Sequence, residues 1–254
     1  MAKSIRNYLV ATFLFSWILW DTLAVGSYFK ISFLTYGTPL AMVLFVLGGI
    51  SPAICEIILQ KKNNTEQEFK SFMKNIMTLK HSPTLYIYAI GGALFIFAIP
   101  FLFGQITMKQ PLYIGFLMIF PMIIGGGIEE IGWRGLLQPQ LEKKLSHFLS
   151  TIIVAAIWAV WHIPLWFIPG TNQSNLSFIW FVINAFTLSF FIGSVCFISK
   201  SIFLSILAHA SVNGFWEVFP PSQDITLSVI ILIVVAVTTV LLDYTVAKHK
   251  TKFI

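Results

Sequence analysis

Apolar stretches of about 18 residues or more recur along the whole sequence, each long enough to cross about 30 Å of hydrocarbon as a helix rising about 1.5 Å per residue. Inside a bilayer no water is present to satisfy backbone N–H and C=O groups, so a spanning segment is either a helix or a strand of a closed barrel. Barrel strands alternate apolar and polar residues over segments of about ten, and no such alternation runs through this sequence. The expectation is an all-α fold, a polytopic membrane helix bundle forming a single integral membrane domain over residues 1–254. Composition agrees: 57% of residues are hydrophobic and 10% charged, where a soluble domain carries about a quarter of its residues as charges.

Apolar runs bounded by charge, Pro, Gly or Asn predict spans at 7–26, 36–59, 83–103, 112–137, 150–168, 177–198, 201–219 and 225–243, about eight transmembrane helices. The first run, from near Tyr8 to Val25, is longer than a signal-peptide core and is expected to be retained as a span. Lysine and arginine test the count, because positive residues are held on the cytoplasmic side. One set of loops holds Lys3, Arg6, Lys61, Lys62, Lys70, Lys74, Lys80, Lys143, Lys144, Lys200, Lys248, Lys250 and Lys252; the opposite set holds Lys30 and Lys109, and Arg134 lies inside the fourth span. Both termini are therefore expected to be cytoplasmic, with a bacterial plasma membrane as the location. The net charge of +6 sits at span ends, so nucleic acid is not an expected partner; membrane lipids are. The loop from Gln60 to Ser82 carries Phe69, Phe72, Met73 and Ile76 at roughly helical spacing, which predicts a helix lying on the cytoplasmic leaflet, and 138–150 has a similar character. Cys55 and Cys196 sit in apolar runs and read as small buried hydrophobes.

Ionisable residues at the bilayer centre cost about 2.5–3.5 kcal/mol on insertion scales and usually mark function. The fourth span carries Glu129, Glu130 and Arg134. Glu130 precedes Arg134 by four residues, the order and spacing of a helical ion pair. Glu129 is turned about 100° away and is left free for chemistry. Trp158 and His162 share a face of the fifth span, and His209 and Asn213 share a face of the seventh. Counted from the cytoplasmic ends, these groups fall at similar depths, so Glu129, His162, His209 and Asn213 are expected to meet in one cavity. Glycines at 125–127, 132 and 135 leave room for close helix approach. A Glu and a His in a dry site can take a proton from water, and a His with an Asn can donate hydrogen bonds to an oxyanion. Those parts make an amide hydrolase.

Other ionisable groups have bland readings. Asp21, Glu56, Glu217 and Asp243 lie near span ends, and His81, His147 and His249 are juxtamembrane and expected to be solvated.

The strings Glu129-Glu130-Ile-Gly-Trp-Arg134, Trp158-Ala-Val-Trp-His162 and His209-Ala-Ser-Val-Asn213 resemble the EExxxR, FxxxH and HxxxN/D motifs of the CPBP family, the CAAX proteases and bacteriocin-processing membrane enzymes. The matched core covers roughly residues 112–219. Trp158 stands where that family usually has Phe, a departure that bears on pocket shape or substrate choice. The resemblance implies an intramembrane endopeptidase in which Glu129 and His162 activate water, His209 and Asn213 form the oxyanion site, and Glu130 with Arg134 supports it. The substrate it implies is a peptide or protein, prenylated or of bacteriocin type. No obligatory cofactor is expected; the alternative is zinc held by Glu129, His162 and His209, although the sequence has no HExxH helix. Competing functions are a non-catalytic bacteriocin-immunity or scaffold protein and a proton-coupled transporter, which would also carry buried carboxylates and histidines.

Overall fold

A computed structural model describes residues 2–251 of the chain, with side chains described for 5–248; the side chains of Lys3, His249, Lys250 and Lys252 lie outside the described residues. Eleven helices carry the argument: α1 (Ala2–Tyr28), α2 (Pro39–Gly49), α3 (Ser51–Asn63), α4 (Glu66–Met77), α5 (Pro83–Leu102), α6 (Leu112–Ile124), α7 (Gly127–Glu142), α8 (His147–Trp161), α9 (Phe178–Ser199), α10 (Ile202–Trp216) and α11 (Ile225–Thr251). Regular structure among the described residues is entirely helical, which makes the chain a polytopic helix bundle.

Apolar helices stand at all eight expected places, but length separates them. Six are long and apolar enough to cross a membrane, or up to seven if the bent pair α6 and α7 counts as one span, while α10 is a shorter apolar helix of 15 residues.

Two expected spans are broken, each for a local reason. The second divides into α2 and α3 at Ile50 (φ −86°, ψ 3°). Pro52 supplies no N–H for the helix to continue, and the Gly48 carbonyl instead accepts a hydrogen bond from Ser16 Oγ at 3.0 Å. The fourth, expected as one helix over 112–137, bends by 44° between α6 and α7. At the bend Gly126 has φ +152°, a conformation open to glycine and costly for other residues. Beyond it the chain winds through a 3₁₀ turn (Gly127–Glu129), an α-turn and a π-helical turn (Trp133–Leu137) before ending at Glu142. The fifth span is also shorter than expected: the regular helix α8 stops at Trp161, His162 caps it, and a 3₁₀ turn with Pro164 follows.

The predicted interfacial helix is α4. Its start is fixed by a capping box in which Thr65 Oγ1 accepts from the Glu68 N–H and the Glu68 carboxylate accepts from the Thr65 N–H at 2.8 Å. The Thr65 N–H and the Thr65 hydroxyl, each donating to the Glu68 carboxylate at 2.8 Å, hold this exposed carboxyl below the usual carboxylate range. Phe72 and Ile76 of this helix pack against Ala53, Ile131, Ile202 and Ile206, so it lies on the bundle with its charged face outward.

Burial identifies the centre. In α8 and α9 the spanning windows are 56% and 61% buried, against 17% in α11, which therefore faces lipid. α9 is the central helix and packs against α8, α10 and α11, with α6 and α5 against α10 and α1 against α2 and α3. Two glycine contacts let α7 sit deep among them. A Cβ at Gly127 would stand 2.7 Å from the Ile206 carbonyl oxygen, and one at Gly132 would strike Tyr8 Oη and approach the Pro52 carbonyl oxygen to 2.6 Å. Backbone of α3 and a tyrosine of α1 thus close directly over α7. Gly132→Ala is expected to cost about 1–3 kcal/mol through overpacking, read as a lower melting temperature in detergent; an unchanged transition would contradict this account of the α1–α3–α7 junction.

Candidate active site

The site is built where α7 turns away from α6. Because the chain bends at Gly125 and Gly126, Glu129 emerges on a 3₁₀ turn and Glu130 begins the next turn, so the two carboxylates leave the backbone in different directions. Glu130 is fully buried and bridges two helices: its Oε2 lies 2.9 Å from Arg134 Nη1 within α7, and its Oε1 lies 2.7 Å from His209 Nδ1 on α10. The ion pair expected from the four-residue spacing is present, and the histidine makes it a trio. Arg134 Nη2 donates to the Ser189 carbonyl of α9 at 3.3 Å, tying a third helix to the same arginine.

Glu129 is held differently. Its Oε2 accepts from Trp158 Nε1 at 2.8 Å and from Trp133 Nε1 at 3.4 Å. Two neutral donors on one oxygen orient the carboxylate and leave the other oxygen without a protein partner in these bonds. Trp158 therefore does more than shape the pocket: its indole N–H makes a bond that a phenylalanine at this position could not make.

His162, at the end of α8, directs its Nδ1 at the Trp158 carbonyl oxygen, 2.8 Å away. A carbonyl only accepts, so Nδ1 carries the proton and, in the neutral ring, Nε2 is left as the basic nitrogen. Trp161, Trp158 and Phe181 pack around the imidazole with ring centroids 4.6, 5.0 and 5.0 Å away. His209 has Nδ1 on Glu130 and its ring 5.5 Å from that of Trp158. Asn213, one turn further along α10, donates from Nδ2 to the Gly125 carbonyl at 3.2 Å. Gly126 is the close approach that allows this: a Cβ there would lie 3.1 Å from His209 Nε2 and would overlap Asn213 Nδ2.

Glu129, Trp158, His162, His209 and Asn213 all line one cavity of about 140 Å³ that Trp20 and Phe181 also border. The sequence-derived set therefore converges on a single space. Glu130 and Arg134 stand behind it and do not line it. Trp133 was missed by sequence reasoning, although it follows Glu129 by four residues and so shares its face. Trp20, Phe181 and the Ser189 carbonyl left no such signal, because they arrive from helices distant in sequence.

Fit to a metal can be tested on the donor atoms. Glu129 Oε2 already accepts two indole N–H groups, and each histidine has Nδ1 engaged. Among the described residues no group of three or more His, Cys, Asp or Glu side chains is arranged to hold a metal ion, and that applies to Glu129, His162 and His209.

Three further ionisable groups depart from the bland reading. His147 is not freely solvated: its Nδ1 lies 2.6 Å from Glu142 Oε1 and its Nε2 3.3 Å from Asp243 Oδ2. Asp243, 8% exposed, also accepts from Ser194 Oγ at 2.6 Å, so this cluster pins α11 to α8 and α9. Glu56 is fully buried on α3, where Gln60 Nε2 donates to it at 2.7 Å.

Residues 110–215, which contain Glu129, Glu130, Arg134, Trp158, His162, His209 and Asn213, match the family described as type II CAAX prenyl endopeptidase Rce1-like. Together with the buried carboxylate and histidine constellation in a membrane bundle, this supports a CAAX-type intramembrane endopeptidase, the class that the three motifs resemble. Over most of its length the chain is similar to CAAX prenyl protease 2 of Methanococcus maripaludis, at 27% identity over 238 residues, covering 86% of each chain.

Loss of the bond from the indole should be visible in turnover. Trp158→Phe is expected to lower kcat about tenfold, in line with ~1.5 kcal/mol for a hydrogen bond to a charged group, with KM little changed. An effect confined to KM would instead assign Trp158 to substrate binding.

Proposed function

We propose that the protein hydrolyses a peptide bond of a CAAX-type substrate with a water molecule activated by Glu129 and His162, within a catalytic core spanning residues 112–219. The observation that carries this reading is the shared cavity: a carboxylate, two imidazoles and a carboxamide converge on about 140 Å³ of otherwise aromatic and aliphatic surroundings.

In the first step Glu129 removes a proton from water as the water oxygen bonds to the substrate carbonyl carbon. His162 Nε2 accepts a hydrogen bond from the same water and aligns it. The carbonyl electron pair moves onto oxygen, where Asn213 and His209 donate hydrogen bonds to the developing charge. For His209 to donate from Nε2 while Nδ1 faces Glu130, both ring nitrogens must carry protons, and that cation shares the Glu130 carboxylate with Arg134. Collapse of the tetrahedral intermediate breaks the C–N bond, and the proton held by Glu129 passes to the leaving amine. Positioning and electrostatic stabilisation in a dry site supply the rate enhancement, and no residue needs to become covalently attached to substrate.

The substrate in this reading is a peptide or protein bearing a prenylated C-terminal motif, by analogy with the name of the Methanococcus maripaludis relative. A fluorogenic prenylated CAAX peptide, beside its unprenylated twin, tests it with detergent-purified protein. Cleavage is expected for the wild type and a loss of about 10²–10⁴-fold for Glu129→Gln, the range of a general base; equal cleavage by the variant would remove Glu129 from the mechanism. A chelator is expected to leave the wild-type rate unchanged, and chelator-sensitive cleavage restored by zinc would replace the metal-free mechanism.

The location in this reading is a bacterial plasma membrane with the lysine-rich loops cytoplasmic. Lys70 of α4 is exposed, so Lys70→Cys should react with an impermeant thiol reagent only after the cells are opened. Labelling of intact cells would reverse the orientation.

A further inference from the structure

α8 ends at Trp161, one residue before His162, and the way it ends decides where that imidazole stands. The last carbonyls of a helix have no intrahelical partner and are met from elsewhere. Pro164 has no N–H to give, and the Leu165 N–H bonds to the His162 carbonyl at 3.0 Å, so the chain leaves in a 3₁₀ turn. The Trp158 carbonyl takes His162 Nδ1 at 2.8 Å. The Trp161 carbonyl takes an N–H from another helix: Trp17 Nε1 of α1 donates to it at 3.0 Å.

Ser16, the residue before Trp17, holds the other polar group of Trp161. The Trp161 indole N–H donates to Ser16 Oγ at 2.7 Å, and this is the same hydroxyl that donates to the Gly48 carbonyl at the break between α2 and α3. Ser16 and Trp161 are fully buried and Trp17 is half-buried. Neighbouring residues of a helix point about 100° apart. For both to reach Trp161, it must lie along the edge between them, with one taking the ring and the other the backbone. Trp20, one turn on from Ser16, completes the grip with its ring 4.8 Å from that of Trp161 and 6.4 Å from the imidazole of His162. Trp161 in turn stands nearly perpendicular to that imidazole at 4.6 Å.

Apolar packing of α1 against α8 would not by itself call for this arrangement, because the hydrophobic effect is not directional. Hydrogen bonds are. One to the indole N–H sets the rotation of the Trp161 side chain, and one to its carbonyl sets the backbone from which His162 follows. Neither Ser16 nor Trp17 lines the catalytic cavity, so their effect on it runs through Trp161 and His162. Both also lie outside residues 110–215, the stretch that matches the endopeptidase family.

We propose that Ser16 and Trp17 are positioning residues for His162. By fixing both polar groups of Trp161 they set the turn after α8, which keeps His162 Nδ1 on the Trp158 carbonyl and leaves Nε2 for the cavity. The proposal rests on the reading in which Nε2 aligns the attacking water. α1 brings no catalytic residue and is nevertheless part of the machinery.

The test compares wild-type protein in detergent with Trp17→Phe, which keeps an aromatic ring but has no N–H, and with Ser16→Ala, which removes the acceptor for the Trp161 indole. Histidine is labelled with ¹⁵N, and the His162 ring resonances are identified by their loss in His162→Gln. Their shifts report which ring nitrogen carries the proton. The wild type is expected to show His162 protonated at Nδ1 only. In Trp17→Phe these resonances are expected to move towards the average of the two tautomers or to broaden, while those of His81 and His147 stay in place. With the prenylated CAAX peptide, kcat is expected to fall about two- to tenfold, the effect of one net hydrogen bond, with KM unchanged. Ser16→Ala is expected to act in the same direction and carries the test if Trp17→Phe does not fold. Unchanged His162 resonances in a folded variant overturn the proposal, as does equal movement of His81 and His147, which marks a general loss of structure. A moved His162 with unchanged kcat overturns it as well. If the wild type cleaves no peptide, the hydrolytic reading fails, and the nitrogen spectrum still decides whether α1 holds His162.

Discussion

Glu130 is the group on which the arrangement turns. One fully buried carboxylate meets Arg134 on its own helix and His209 on α10, and the arginine reaches on to a carbonyl of α9. Three helices are thereby registered against one another through an ion pair and two hydrogen-bonded contacts. Such a network is poor evidence for net stability, because desolvating the charges offsets much of their attraction. Its consequence is geometric: removing Glu130 leaves Arg134 buried without its counter-charge. His209 is fixed by this network, and Asn213 follows because it stands one turn further along the same helix.

Glu129 is governed by a contrasting logic. It sits beside Glu130 in sequence but is bound only by indole N–H groups, which orient without neutralising. Two adjacent carboxylates thus receive separate environments, one compensated by cations and one left as the free charge facing the cavity. The bend at Gly126 is what permits this separation. Any side chain at position 126 would enter the space that Asn213 Nδ2 and His209 Nε2 now occupy. A glycine with positive φ, close-packed against both side chains, converts a span into a lining of the cavity.

The site also has a back as well as a front. Arg134 meets His209 through Glu130 and on its own borders a larger cavity under α4. α4 borders that second cavity through Ser71, Phe72 and Asn75.

Much of this was legible in the sequence. The run lengths required membrane helices, since only helices or closed barrels satisfy the backbone in hydrocarbon. The polar residues within those runs marked Glu129, Glu130, Arg134, Trp158, His162, His209 and Asn213, because such residues are costly there, and four-residue spacings predicted the Glu130–Arg134 pair and the shared faces of the other two motifs. Spacing says nothing, however, about which helices meet. That Trp133 and Trp158 converge on one oxygen of Glu129, that Glu130 reaches His209 79 residues away, and that His147 joins Glu142 and Asp243 instead of facing water were decided by packing. The breaks at Ile50 and Gly126 were likewise tertiary outcomes: Pro52 and the glycines permitted them, but Ser16 capping a freed carbonyl and Asn213 filling a missing Cβ came from other helices. Local sequence set the elements and their chemistry, while long-range side-chain contacts set where the elements end and which atoms face each other.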